Sequence, residues 1–469
     1  MGVGAMVGRT TPPVGEEAPL RPILPVGRLG RMRIAGPFTR GVRIALGSVV
    51  GLALVAGIVQ TSPSRPVVAA ARARATESNT TTWVGGWGTA VQPPVAGDED
   101  SGRNWSEEGF HNQTVRQVVR VGVGGTRLRV RLSNVFGTRP LRVDGATVGR
   151  SAGGALVWPD SLRKVTFGGA SGTVIPPGRE AVSDAVPLST SPLERLTVSL
   201  RFTGATGPAT FHRFALDSTY RADGDHLSDV GAEAFTDSTG SWYFLSGVDV
   251  DGGRAGRGTV VVLGDSLVDG VGTTSGADRR VPDGLAERLA AARRPYGVVN
   301  AGVGTGKLLR DSQCGGQSGV GRFRRDVLGR PGVRAVIVHL GANDIGAPQM
   351  DDPCVRPNPE VSAAELIDGH RRLIREAHAH GIKAIGATIL PMKGALFPIW
   401  SQEAEKVRRQ FNEWVRTSGE YDAVLDVDRV MADPADPTRP RPGYVFMDGL
   451  HPNDAGALAI AAAVNLGDL

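Results

Sequence analysis

At 469 residues the chain has room for a leader and two domains. Aromatics are sparse at 5% while glycines number 65, a balance that suits turn-rich β and α/β architecture. The net charge of +6 is concentrated at one end: residues 1–75 hold ten arginines against Glu16 and Glu17, a balance of +8, leaving −2 for the rest, so nucleic-acid binding is not expected.

The first segment reads as a targeting signal. Arginines at 28, 31, 33, 40 and 43 precede an apolar run from Ile44 to Val59, and Ala73-Arg74-Ala75 supplies an A-x-A cleavage site. Residues 1–75 are therefore expected to be a leader with a secretory signal whose apolar core spans 44–59. Sixteen residues rich in glycine and alanine are too few and too weakly apolar for a membrane span, so no stable span is expected after cleavage. The expected location is extracellular, with an uncleaved, outward-facing N-terminal anchor as the alternative. No arginine pair precedes the apolar run, which favours the general secretory route over twin-arginine export. Met32 offers a more ordinary start, with 1–31 then untranslated or a long basic extension.

Residues 76–251 read as an all-β sandwich or jelly roll. Arg127-Leu128-Arg129-Val130-Arg131-Leu132 alternates strictly, as does the stretch from Leu196 to Phe202. Val115–Val123 and Phe211–Leu216 add short strands between Gly/Pro/Ser turns. Trp83, Trp87 and Trp105 suit either the sandwich core or stacking on sugar rings. Glycines at 252, 253, 256 and 258 mark a linker over 252–258.

From residue 259 to 469 apolar strands alternate with helices, the pattern of a three-layer α/β domain with a parallel sheet. Thr259 to Leu263 is an uninterrupted apolar strand ending in Gly264-Asp265-Ser266-Leu267. An amphipathic helix over Leu285–Arg294 stops at Pro295. A glycine turn, Asn300-Ala301-Gly302-Val303-Gly304-Thr305-Gly306, follows a short strand. The strand Ala335–Leu340 leads into Gly341-Ala342-Asn343-Asp344. Ser362-x-x-Glu365 is a capping box for a helix running to about His380, with Gly381 beyond its end. Ile382–Ile389 is a strand, Glu403–Thr417 a helix and Ala423–Val427 a strand. Finally Asp448-Gly449-Leu450-His451 precedes an alanine-rich helix.

In these four blocks the chain resembles the SGNH hydrolases, the GDSL esterases and lipases, from about Gly258 to the C-terminus and in that family's order. The resemblance implies a secreted bacterial type with an N-terminal β-domain, for which Trp83-Val84-Gly85-Gly86-Trp87 and Arg131-Leu132-Ser133-Asn134-Val135-Phe136-Gly137 are less specific support. No Gly-x-Ser-x-Gly elbow is present, so the α/β-hydrolase fold is not the reading.

The residue types fit ester chemistry. A serine hydroxyl needs a neighbouring base, and imidazole titrates near neutrality. Ser266 is the candidate nucleophile, His451 its base, and Asp448 the carboxylate orienting that imidazole. By resemblance, the oxyanion donors are the amide of Ser266, an amide at Gly304 or Thr305, and the side chain of Asn343. Position 305, five after Asn300, is usually glycine in the family; threonine there leaves the donating amide undecided. Taken singly, Ser266 also suits a helix N-cap, and Asp448 with His451 a cap on the last helix. His339, His370, His378 and His380 read as structural, and no zinc-like spacing appears, so neither metal nor organic cofactor is expected.

Two cysteines fit an oxidising compartment, and Cys314 and Cys354 sit in loops after the second and third blocks. A bridge between them closes a loop of about forty residues, worth roughly 4 kcal/mol in the chain-entropy model. The expected activity is ester hydrolysis through an acyl-enzyme on short, acetyl-type esters, with carbohydrate or other small-molecule esters as substrates. Leu396-Phe397-Pro398-Ile399-Trp400 is a candidate acyl-pocket lining or simply the entry to the next helix. A lipase or phospholipase on longer chains and an acyltransferase share the same residues. A carbohydrate-binding surface protein with an idle hydrolase domain is the alternative of another class.

Overall fold

The computed structural model describes residues 82–98, 101–251 and 258–469. The leader with its cleavage site and residues 252–257 of the expected linker lie outside the described residues, and Gly258 already opens a strand.

The N-terminal half is built from antiparallel sheets. One sheet orders Trp83–Gly88, Leu245–Asp251, Leu128–Ser133 and Glu180–Val182; a larger one is centred on Arg195–Phe202, flanked by Gln113–Arg120 and Gly145–Gly153. The alternation at 128–133 does what period-two patterning should. Leu128, Val130 and Leu132 enter the core, while Arg129 and Arg131 turn outward to pair with the Asp249 carboxylate at 2.7 and 2.8 Å. Trp87 and Trp105 are buried, Trp105 stacking on Tyr243, so neither offers a face to a sugar. Trp83 holds the Arg129 guanidinium over its ring at 4.1 Å. Core packing thus claims Trp87 and Trp105, and a cation–π contact occupies half-buried Trp83. The strand expected over Phe211–Leu216 is confined to Phe211–His212, because the chain leaves the ladder to reach the other half.

The C-terminal half is a five-stranded, all-parallel sheet in the order Tyr296–Gly302, Gly258–Gly264, Val333–His339, Lys383–Ala387, Ala423–Leu425. Val260 to Leu263 are wholly buried, as the unbroken apolar run requires of a strand covered on both faces. Val281–Ala291 packs against Asp454–Ala463, and Ala363–Ala379 against Gln402–Thr417, forming the helical layers over the sheet. The Ser362 capping box forms in full, and Gly381 takes φ +67° just past the helix. The central strand is followed by the sheet's order reversal, the place where open α/β sheets bind ligands.

The two halves interlock through backbone. Thr259 Oγ1 accepts from Gly85 N at 2.8 Å, and Gln92 Nε2 donates to the Cys314 carbonyl at 2.6 Å. Arg330, nearly buried, donates to the carbonyls of Ser246 at 2.8 Å and Thr89 at 2.7 Å. Cys314 and Cys354 are bonded to each other, with Cα atoms 5.1 Å apart. Among the described residues no helix is long and apolar enough to cross a membrane.

Candidate active site

Ser266 opens a one-turn helix, Ser266–Asp269, directly after the strand Gly258–Gly264. Asp265, not Ser266, caps that turn: its carboxylate accepts from Leu267 N at 3.2 Å, which leaves the serine hydroxyl free of a capping duty. The last helix is likewise capped by Asn453, whose side chain accepts from Gly456 N at 3.1 Å. Asp448 and His451 are thereby released from the structural role open to them in the sequence.

Instead these residues meet. Ser266 Oγ and His451 Nε2 are 2.8 Å apart, and His451 Nδ1 lies 2.6 Å from Asp448 Oδ2. The other oxygen of Asp448 accepts from the amides of Leu450 at 2.9 Å and His451 at 3.0 Å, so the carboxylate is held by its own loop. Burial pushes the Asp448 carboxyl upward, but the hydrogen bond and charge of His451 together with these amides outweigh it and leave it below the usual range. An ionised Asp448 holding Nδ1–H leaves Nε2 as the acceptor facing the hydroxyl.

The turn after Asn300 lies alongside. Asn300 Oδ1 accepts from Gly302 N at 2.9 Å, and a Cβ on Gly302 would meet Asp269 N at 2.2 Å, so only glycine lets the two segments approach. The expectation for Gly304 needs correcting: its amide donates to Asp269 Oδ2 at 2.7 Å and is not available to a substrate. Gly306 N is also engaged, with the Val303 carbonyl at 2.9 Å. Of the three amides, that leaves Thr305. This residue holds φ +58°, a left-handed conformation costly for a β-branched side chain. Asn343 Nδ2 donates one hydrogen to the Gly306 carbonyl at 3.0 Å, keeping its second free and tying the two donor segments together. Asp344, fully buried, accepts from Leu308 N at 2.7 Å and Leu309 N at 3.0 Å, and burial, opposed by these bonds, pushes its carboxyl up to about 6.

A cavity of about 20 Å³ adjoins the serine, lined by Ala342, Leu390, Ile399 and Leu450 together with Asn343 and His451. Ile399 therefore joins the site, whereas Leu396 is 78% exposed and stands outside it. His370 is buried, and His378 and His380 bond Asp422 and the Glu376 carbonyl, so these three stand apart from the site, whereas buried His339 lies 3.4 Å from Asp265 Oδ1 beneath the serine's turn.

Three contributors escaped sequence reasoning. Asp269 was visible as a carboxylate one helical turn after Ser266. Arg322, whose buried guanidinium donates to the carbonyls of Ala301 and Gly264 at 2.7 Å each, carried no pattern. His212 belongs to the other half of the chain, and its ring reaches Asp269.

Residues 262–459 match the GDSL-like lipase/acylhydrolase family. Among solved structures, the chain is similar to a lipase/acylhydrolase from Enterococcus faecalis (20% identity, TM-score 0.33, 44% of this chain and 92% of that one). It is also similar to a GDSL-like lipase from Bacteroides thetaiotaomicron VPI-5482 (16%, TM-score 0.33, 45% and 87%). An acetyl xylan esterase, AlAXEase, gives 19% identity, TM-score 0.33, and coverage of 44% and 96%. No curated protein matches the chain.

Proposed function

We propose, from the premise that residues 262–459 are a GDSL-like lipase/acylhydrolase domain, that this protein is an exported serine esterase acting on short acyl esters. The observation that carries the reading is the unbroken line of contacts from Asp448 through His451 to Ser266, at 2.6 and 2.8 Å.

In this reading His451 Nε2 takes the Ser266 proton as Oγ attacks the ester carbonyl. The carbonyl oxygen becomes an oxyanion received by the amides of Ser266 and Thr305 and by Asn343 Nδ2. Ser266 N opens a helix and so has no partner within it, which suits it to that duty. Collapse expels the alcohol, protonated by His451, and leaves the acyl group on Ser266. A water that gives its proton to His451 then attacks the acyl carbon, and the acid departs. Asp448 stays ionised throughout, orienting the ring and stabilising its charged form.

The cavity argues for the acyl length. The narrow pocket beside the serine, walled by Leu390, Ile399 and Leu450, suits an acetyl methyl better than an alkyl chain. One observation favours longer chains: Leu396, Phe446 and Met447 expose apolar surface around the Asp448–His451 loop. The leader's signal pattern and the bonded cysteines support export.

A panel of 4-nitrophenyl esters from acetyl to octanoyl, with acetylated polysaccharide beside it, tests the reading. The expected result is kcat/KM falling steadily with chain length, and a roughly million-fold loss of kcat in Ser266→Ala. Rates rising toward octanoyl overturn the short-acyl assignment in favour of a lipase. Inertness toward every ester points to a binding protein with an idle domain.

A further inference from the structure

The turn that offers the Thr305 amide is fastened by a residue of the β-sandwich. His212 lies on the two-residue strand Phe211–His212, is 2% exposed, and stacks on Trp242 with centroids 5.5 Å apart. Its Nδ1 faces the Ala90 carbonyl at 2.8 Å. Its Nε2 faces the Phe214 carbonyl at 3.1 Å and Asp269 Oδ1 at 3.0 Å. Each ring nitrogen is thus turned to oxygen acceptors, and Nε2 faces two of them at once.

Asp269 is wholly buried and its two oxygens have different fates. Oδ2 receives the Gly304 amide at 2.7 Å. Oδ1 has no aligned hydrogen bond, and the polar group it meets is His212 Nε2. A buried carboxylate oxygen without a donor is costly, so a neighbouring imidazole N–H is what makes this orientation tenable. The Phe214 ring completes the arrangement from the same strand exit: a Cβ on Gly304 would meet it at 2.7 Å, so the ring walls the turn in.

We propose that His212 is a positioning residue for ester cleavage: through Asp269 it holds the Gly304 amide, and so sets where the neighbouring Thr305 amide points. The inference rests on the esterase reading above and extends it, because it makes the β-sandwich part of the active site rather than an appended binding module. His212 touches neither substrate nor Ser266. Its effect falls on the oxyanion, and thus on kcat rather than on ground-state binding.

Paired substitutions of the full-length protein test this. The shorter amide of His212→Asn reaches the place of Nδ1, keeping the donor to Ala90 and withdrawing the one to Asp269. The longer amide of His212→Gln reaches the place of Nε2. With 4-nitrophenyl acetate, His212→Asn should lower kcat about 10- to 100-fold, part of the roughly 100- to 1,000-fold lost with a whole oxyanion donor, while KM changes less than about twofold. His212→Gln should restore most of the rate. Val130→Ala, a cavity elsewhere in the sandwich core, should lower the melting temperature yet leave kcat within about twofold.

Equal losses in the Asn and Gln variants, an unaltered kcat in His212→Asn, or a matching kcat loss in Val130→Ala would each overturn the proposal. Any of these with an active wild type refutes the positioning role alone. A wild type that neither hydrolyses the ester nor is labelled by a serine-directed phosphonate refutes the esterase reading itself.

Discussion

The loop Asp448–His451 and the turn Asn300–Gly306 both border Ser266, yet they are held in opposite ways. The loop is nearly self-sufficient: Asp448 binds the amides of Leu450 and His451 and the His451 ring, all within three residues. The turn is held from outside, by Asp269 from the serine's own helix and by Asn343 from the next strand's exit, while Asp344 pins Leu308 and Leu309 just beyond it and His212 meets Asp269 from the other half of the chain. A group fixed by its neighbours in sequence is insensitive to distant packing. A group fixed by long-range contacts transmits any change in them. In the proposed reaction the proton-transfer pair should therefore be locally robust, and the oxyanion donors should report on the whole fold.

Substitutions can break or sharpen that contrast. The largest effect is expected in the loop: Asp448→Asn should cut kcat about 10,000-fold by turning His451 to the wrong tautomer, with the melting temperature nearly unchanged, as steady-state kinetics and calorimetry will show. A mild effect would mean that the imidazole is oriented by something beyond its own loop. Next, Asn343→Ala should reduce kcat about 100- to 1,000-fold with little change in KM, and it should lower stability as well, because the same amide braces the Gly306 carbonyl. Stability unchanged in that variant would remove the cross-link from the account of the turn.

Asp344 supplies a pH test of the turn's anchoring. Its carboxyl is raised by burial from 3.8 to about 6 in the folded chain, so the folded state binds this proton more tightly than the unfolded one. The sign follows: Asp344's contribution to stability declines as pH rises from about 4 through about 6. Asp344→Asn cannot titrate there, so the wild type's advantage in melting temperature should be widest near pH 4 and shrink by pH 7. A constant gap would show that Asp344 does not titrate in that window. The smallest effect is expected at Thr305. Glycine accepts φ +58° freely, so Thr305→Gly should raise the melting temperature by about 2 °C and keep kcat within about twofold, since the donor is backbone. A large loss of kcat would mean that the threonine side chain itself contacts substrate.

Much of this was legible without coordinates, for identifiable reasons. Val260 to Leu263 announced a buried parallel strand because both of its faces are covered, and Leu128, Val130 and Leu132 announced a half-buried one because a strand alternates. Ser362 and Glu365 marked a helix start because capping is a contact across three residues. The pairing of Asp448 with His451 was readable for the same reason of short range. The strand over Phe211–Leu216 was over-read, since its departure toward Asp269 depends on a segment some fifty residues further on. The tryptophans were ambiguous because burial is a property of the packed sandwich, not of the residue type.

By itself, then, the order of residues determined the elements, the serine at the end of a central strand, and the carboxylate–imidazole pair, all of which depend on periodicity or on spacing of a few residues. Only the tertiary structure decided which amides of the turn are already engaged. Gly304 and Thr305 are adjacent and chemically alike in sequence. They are told apart by a buried carboxylate 35 positions away that consumes one amide and spares the other. Hydrogen-bond capacity is finite and is allotted in space, so no local pattern records who receives it.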